Sequence, residues 1–207
     1  MEYNDLFDSN GIFLETERYI LRRIQPEDLP QYEKMAQADF SQYLASALLD
    51  HAVLSAAAKH AWDDLQTNDC LTCSILQKKS LIFCGFCQLQ WVFSSVPELG
   101  IALLPAFHRQ GIAMEVLPAF LSQAKQCLPI TYFYAKIRSD NLPSLCLAKK
   151  LGGICVKQKS LLPNQVPPAL ASFAKENLPF LTYLEYHFIP ESIPGGGSSH
   201  FPPHPPQ

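Results

Sequence analysis

The sequence predicts an α/β (α+β) domain, one central sheet of about six or seven strands with helices on its faces. Three observations predict it. Strand-length apolar runs alternate with helical stretches along the chain. No segment repeats at a fixed period. A hydrophobic share of 48% over 207 residues supports one substantial core and falls short of two independent domains.

The elements follow in order. Residues 12–24, IFLETERYILRRI, alternate as a first strand. Pro26 opens a helix with Glu27 and Asp28 in its first turn, where acids meet free N–H groups. Residues 41–66, rich in Ala and Leu, predict a second helical region ended by Asn68 and Asp69. Residues 71–77 and 81–93 form a hairpin around Lys78-Lys79-Ser80, and 98–104 is the fourth strand. A helix follows Gly111 to about Gln126, with Pro118 expected to kink or shorten it. The fifth strand, 130–137, is dense in β-branched and aromatic residues. A short helix over 142–151 ends at Gly152-Gly153, and strands near 154–160 and 181–189 complete the domain. Residues 1–11 are then an N-terminal lead and 12–189 the domain. The tail 190–207 carries six of the 17 prolines and three of the nine glycines, and its composition predicts disorder.

Composition narrows the function. A net charge of -3 offers no basic field for nucleic acid. The start is acidic with no apolar signal core, and no run reaches membrane-spanning length, so a cytoplasmic protein without membrane attachment is expected. Seven cysteines, an odd number, sit mostly in apolar segments and predict reduced, packed thiols. Cys70, Cys73, Cys84 and Cys87 have the spacing of a four-thiolate zinc site. The second pair lies inside a strand, where a separation of three turns the two side chains to opposite faces, so no metal is expected.

The chemistry concentrates in ELGIALLPAFHRQGIAMEVL, which starts at Glu98. A strand, a tight turn and a helix start aim unpaired backbone N–H groups and the positive end of a helix dipole at one point. That arrangement can hold a phosphate or pyrophosphate. Gly111 allows close approach and Ala113 keeps the next turn small. On spacing alone, an ordinary strand–turn–helix junction explains the segment as well. It carries no phosphate-loop Gly-Lys-Ser/Thr and no three-glycine dinucleotide signature.

This segment, together with ETERYILRRIQPEDLPQY before it and YAKIRSDNLPSLCLAKKLGG after it, resembles the GNAT superfamily of acetyl-CoA-dependent N-acyltransferases. The likeness is nearest to the branch of ribosomal-protein-alanine N-acetyltransferases and spans about residues 12–189. It implies a mixed sheet splayed between the fourth and fifth strands, with acetyl-CoA (coenzyme A) as cofactor. The family's Gln/Arg-x-x-Gly-x-Gly/Ala loop falls on His108-Arg109-Gln110-Gly111-Ile112-Ala113. His108 stands where Gln or Arg is usual, and Arg109 where glycine is frequent. The resemblance implies cofactor contacts from Leu103, Leu104, His108, Arg109, Gln110, Gly111, Ile112, Ala113, Met114, Asn141 and Ser144. The backbone N–H of Leu103 or Leu104 would polarise the acyl carbonyl.

Three residues are candidate catalysts. Ser144 would protonate the leaving thiol, Glu98 would act as base through water, and Tyr134 would be a phenolic acid. Each also has a plain reading: a helix first-turn residue beside an Asp140 or Asn141 cap, a solvated strand-edge carboxylate, and a core aromatic. Where relatives often place an aromatic after the helix's closing Leu-Gly, this chain has Gly153, which predicts a looser corner. The implied activity is transfer of an acetyl group to a primary amine, on a small molecule or a protein N-terminus. Transfer would go by direct attack in a ternary complex of a monomer or homodimer. The alternative is a catalytically inactive acyl-CoA-binding sensor or scaffold. Acceptor choice would rest on residues 32–69 and 161–187.

Overall fold

The computed structural model describes residues 3–37, 69–160 and 182–194. The expected second helix, most of the two regions expected to choose the acceptor and most of the C-terminal tail lie outside the described residues. The strands are β1 (Ile12–Glu15), β2 (Tyr19–Arg23), β3 (Cys70–Gln77), β4 (Phe83–Gln90), β5 (Glu98–Leu103), β6 (Phe133–Arg138), β7 (Ile154–Ser160) and β8 (Thr182–Phe188). The longer helices are α1 (Leu29–Gln37), α2 (Ile112–Cys127) and α3 (Leu142–Lys150). The eight strands form one mixed sheet in the order β1-β2-β3-β4-β5-β6-β8-β7. Every neighbouring pair is antiparallel except β5 with β6.

Helices cover both faces. Val116, Leu117, Phe120, Leu121 and Ala124 of α2 are fully buried in the larger core, with Leu21, Ile75, Leu89 and Phe133 of the sheet. Their spacing is that of one helical face. On the other side Met35 of α1 packs with Leu76, Phe83, Phe86 and Ala102. Among the described residues no helix is long and apolar enough to cross a membrane.

Three local expectations change. The single strand over 12–24 is a hairpin: Thr16 and Tyr19 exchange hydrogen bonds, and Glu15 faces Ile20 across the pair. Pro118 does not shorten α2, which continues to Cys127 with the proline ring buried against the core. Asp28 meets a free N–H group at the helix start, as expected, and it also faces inward. It is 5% exposed, takes both arms of Arg22 at 2.8 Å, and accepts from the Ser74 hydroxyl and the Gln25 amide. Four donors satisfy the lone pairs of a carboxylate taken out of water.

The cysteines supply the third change. A register shift in the β3–β4 pair sits at Gly85 and Phe83, so one extra residue enters β4. Gly85 is required there, because a Cβ would lie 2.1 Å from the Ala102 carbonyl. The extra residue brings Cys84 and Cys87 into the same core cluster, with Cys73 directly across from Cys87. Burial pushes the thiols of Cys73 and Cys87 well above their ordinary range and Cys84 to about 11. Among the described residues no group of three or more His, Cys, Asp or Glu is arranged to hold a metal ion. Cys146 and Cys155, by contrast, are exposed rather than packed.

α3 ends as Gly152-Gly153 predicts. Gly152 has φ 78°, its amide bonds the Lys149 carbonyl, and the Gly153 amide reaches back to Ala148. The corner is not loose. Phe188 of β8, 1% exposed, occupies the space beside Gly153, where a Cβ would lie 2.7 Å from the ring.

The β1–β2 turn is tied to α2. Glu115 accepts from the Thr16 hydroxyl at 2.6 Å, the Arg18 amide at 2.9 Å and the Arg18 Nε at 2.6 Å. Burial alone would raise the Glu115 carboxyl, but the hydrogen bonds from Thr16 and Arg18 outweigh it and leave its pKa below the ordinary value.

Two predictions follow from this packing. Gly153→Ala should destabilise the fold by about 1–3 kcal/mol through overpacking against Phe188, measured by denaturant unfolding. For Glu115 the folded-state pKa is lowered, so its contribution is full at neutral pH and is lost as pH falls through that value. The Tm gap between wild type and Glu115→Gln should therefore narrow below pH 4.5.

Candidate active site

β5 runs beside β4 over its whole length, from Glu98 opposite Gln90 to Leu103 opposite Gly85. Against β6 it pairs only where Glu98 meets Tyr134. Beyond that bridge the two parallel strands part. The gap opens a cleft of about 240 Å³ lined by Gln88, Glu98, Gly100, Lys136, Asn141 and Ser144 among others.

Alternation decides which amides face the gap. The Leu104 amide donates to the Cys84 carbonyl at 2.8 Å, so Leu104 cannot polarise an acyl group there. In an antiparallel pair successive residues turn their N–H and C=O groups to opposite sides. Ile101 and Leu103 therefore direct theirs away from β4, toward the separated edge of β6. Of the two amides expected at this point, Leu103 is correctly oriented.

The loop after β5 starts with a short 3₁₀ turn, Pro105–Phe107. The His108 ring turns back onto the strand end. Its Nε2–H donates to the Leu103 carbonyl at 2.9 Å, which ties the loop to the strand end. Gln110 closes on the Ala106 carbonyl at 2.7 Å. Arg109 and Gly111 are both left-handed, with φ 60° and 77°. The frequent glycine at position 109 thus has a backbone reason, and arginine here bears a cost of about 1–2 kcal/mol. Gly111 caps α2 with no side-chain hydrogen bond. The amides of Ile112, Ala113 and Met114 have no partner within the helix. A 16-residue helix thus begins with uncapped donors beside a loop bent by two left-handed residues, and this fits a pyrophosphate.

At the far side of the cleft, Asn141 Oδ1 accepts the Ser144 amide at 3.1 Å and caps α3. The local reading of Asn141 is therefore correct, and the cap leaves its NH₂ available. Ser144 Oγ has no hydrogen-bond partner among the described residues, and both residues line the cleft.

Glu98 is not a solvated strand-edge group. Its Oε2 accepts from the Tyr134 hydroxyl at 2.8 Å and Lys136 Nζ at 3.0 Å. Burial, the hydrogen bond to Glu98 and that carboxylate's charge all push the Tyr134 phenol well above its ordinary pKa. Lys136 also lies 5.9 Å from the Trp91 ring centroid and 5.1 Å from that of Tyr134.

Two groups had no sequence signal. Gln88 Oε1 is buried without a partner among the described residues, and its side chain lies 3.1 Å from where a Cβ on Gly100 would stand. The pairing of Glu115 with Thr16 and Arg18 spans 97 to 99 positions, beyond any local pattern.

The comparisons agree with this geometry. The family described as the acetyltransferase (GNAT) domain matches residues 18–154. No curated protein matches the chain. A GNAT-family acetyltransferase from Bacillus anthracis superposes with a TM-score of 0.65 at 16% identity, over 86% of this chain and 98% of that one. RimL, a ribosomal L7/L12 alpha-N-protein acetyltransferase in complex with coenzyme A, gives 0.63 at 18% over 86% and 97%. The spermidine N-acetyltransferase from Vibrio cholerae in complex with coenzyme A and spermine gives 0.62 at 13% over 84% and 97%. Such identities carry the fold alone. The splayed strands, the uncapped helix start and the family match across 18–154 together make the chain a member of the GNAT acetyltransferase family.

Proposed function

We propose that the protein transfers an acetyl group from acetyl-CoA to a primary amine by direct attack in a ternary complex. The uncapped start of α2 beside the β5–β6 gap is the observation that carries this reading. When bound, the cofactor supplies an acetyl group activated as a thioester. Gly111, Ile112, Ala113 and Met114 would grip its pyrophosphate through main-chain N–H groups. The side chains of the loop from His108 to Gln110 would hold that backbone in shape. The Leu103 amide, facing the gap, would donate to the acyl oxygen as negative charge develops there. Asn141 would use its free NH₂ on the pantetheine arm. Ser144 Oγ would give a proton to the departing sulfur.

Glu98 is assigned as the base that removes a proton from the amine through water. Its Oε1 is not used by Tyr134 or Lys136. Tyr134 is better suited to hold Glu98 than to act as an acid, because its proton already points to the carboxylate and its pKa is raised. The branch and the acceptor are part of the proposal. Protein N-termini and polyamines are the first acceptors to test, since fold neighbours are described as acting on each.

Calorimetry with coenzyme A, followed by thiol release from acetyl-CoA, tests this reading. The acceptor panel is peptides with small N-terminal residues, polyamines and aminoglycosides. Binding and turnover are expected. Ser144→Ala and Glu98→Gln should each lower kcat by about 10²-fold or more while coenzyme A affinity stays unchanged. No coenzyme A binding would overturn the proposal. Binding without turnover on the whole panel would favour an acyl-CoA sensor.

A further inference from the structure

We infer that Arg18 is a positioning residue that sets the orientation of the Gln110–Gly111 peptide and so prepares the cofactor loop. Both terminal nitrogens of its guanidinium donate to the Gln110 carbonyl at 3.3 Å. Its Nε is held by Glu115 at 2.6 Å, and its own amide bonds the other oxygen of the same carboxylate at 2.9 Å. One side chain thus joins the β1–β2 turn, the first turns of α2 and the loop between β5 and α2.

The carbonyl it grips is the decisive one. In a trans peptide the C=O and the following N–H point in opposite directions. Drawing the Gln110 oxygen to Arg18 turns the Gly111 N–H the other way. Gly111, on the C-terminal side of this peptide, is left-handed at φ 77°, and Arg109, one residue before Gln110, is left-handed at φ 60°. A glycine on one side lets the peptide rotate with little steric penalty. Rotated, it would present an oxygen where the proposed anion needs a donor. Arg18 removes that alternative. Lysine could keep the ion pair with Glu115 but lacks the planar fork that reaches Gln110 at the same time.

The effect on cofactor binding rests on the function proposed above; the effect on the peptide does not. The test is therefore read first on the ligand-free protein, by NMR of the Gly111 amide and its Overhauser contact to Gln110 Hα. Arg18→Ala and Arg18→Lys are both expected to shift or split the Gly111 signal, while the amides of α3 stay in place. Coenzyme A affinity by calorimetry should fall at least tenfold in both. If Arg18→Ala does not fold, Arg18→Lys and Glu115→Gln carry the same readout. An unchanged Gly111 signal in the folded variants would overturn the inference, as would full coenzyme A affinity in Arg18→Lys. If the wild type does not bind coenzyme A, the proposed function fails, and the Gly111 signal still decides the role of Arg18.

Discussion

The single bridge between Glu98 and Tyr134 is the constraint on which the rest of the site depends. Parallel strands that pair once and then separate must be kept apart by something else. β4 fixes β5 along its full length on one side, and β8 fixes β6 from Phe133 to Arg138 on the other. Neither strand can move to close the gap without losing an antiparallel ladder. The inward amides of β5 therefore lack a sheet partner, a costly state unless water or a ligand supplies one. The Tyr134 and Lys136 hydrogen bonds to Glu98 pin the point where the gap begins.

The extra residue in β4 governs the same region from behind. By inserting one position before Gly85, it changes which side chains enter the larger core and which face α1. It also aligns the Cys84 carbonyl with the Leu104 amide. Loop, strand and core are therefore in one register, set by a glycine that no other residue can replace without meeting the Ala102 carbonyl.

Much of this was legible in the sequence, for definite reasons. The β3, β4, β6 and β8 segments announce themselves because β-branched, aromatic and cysteine residues crowd short runs between turn residues. The α2 start was legible because a glycine followed by a helical apolar pattern leaves few alternatives. The β1–β2 turn was missed because Thr16-Glu17-Arg18 contains neither glycine nor proline, and its closure depends on a hydroxyl and a distant carboxylate. The Cys84 orientation was misjudged because alternation assumes an unbroken ladder, and the inserted residue breaks it. The roles of Arg18, Glu115 and Gln88 depend on what other elements bring to them. No local spacing reports that.

Gly153 and Phe188 divide one volume between two positions far apart in the chain: the glycine yields the space that the ring fills. Enlarging residue 153 displaces the ring, and trimming residue 188 leaves a void beside the glycine. The end of α3 and the end of β8 are therefore one packing unit, and substitutions at the two positions are coupled rather than additive.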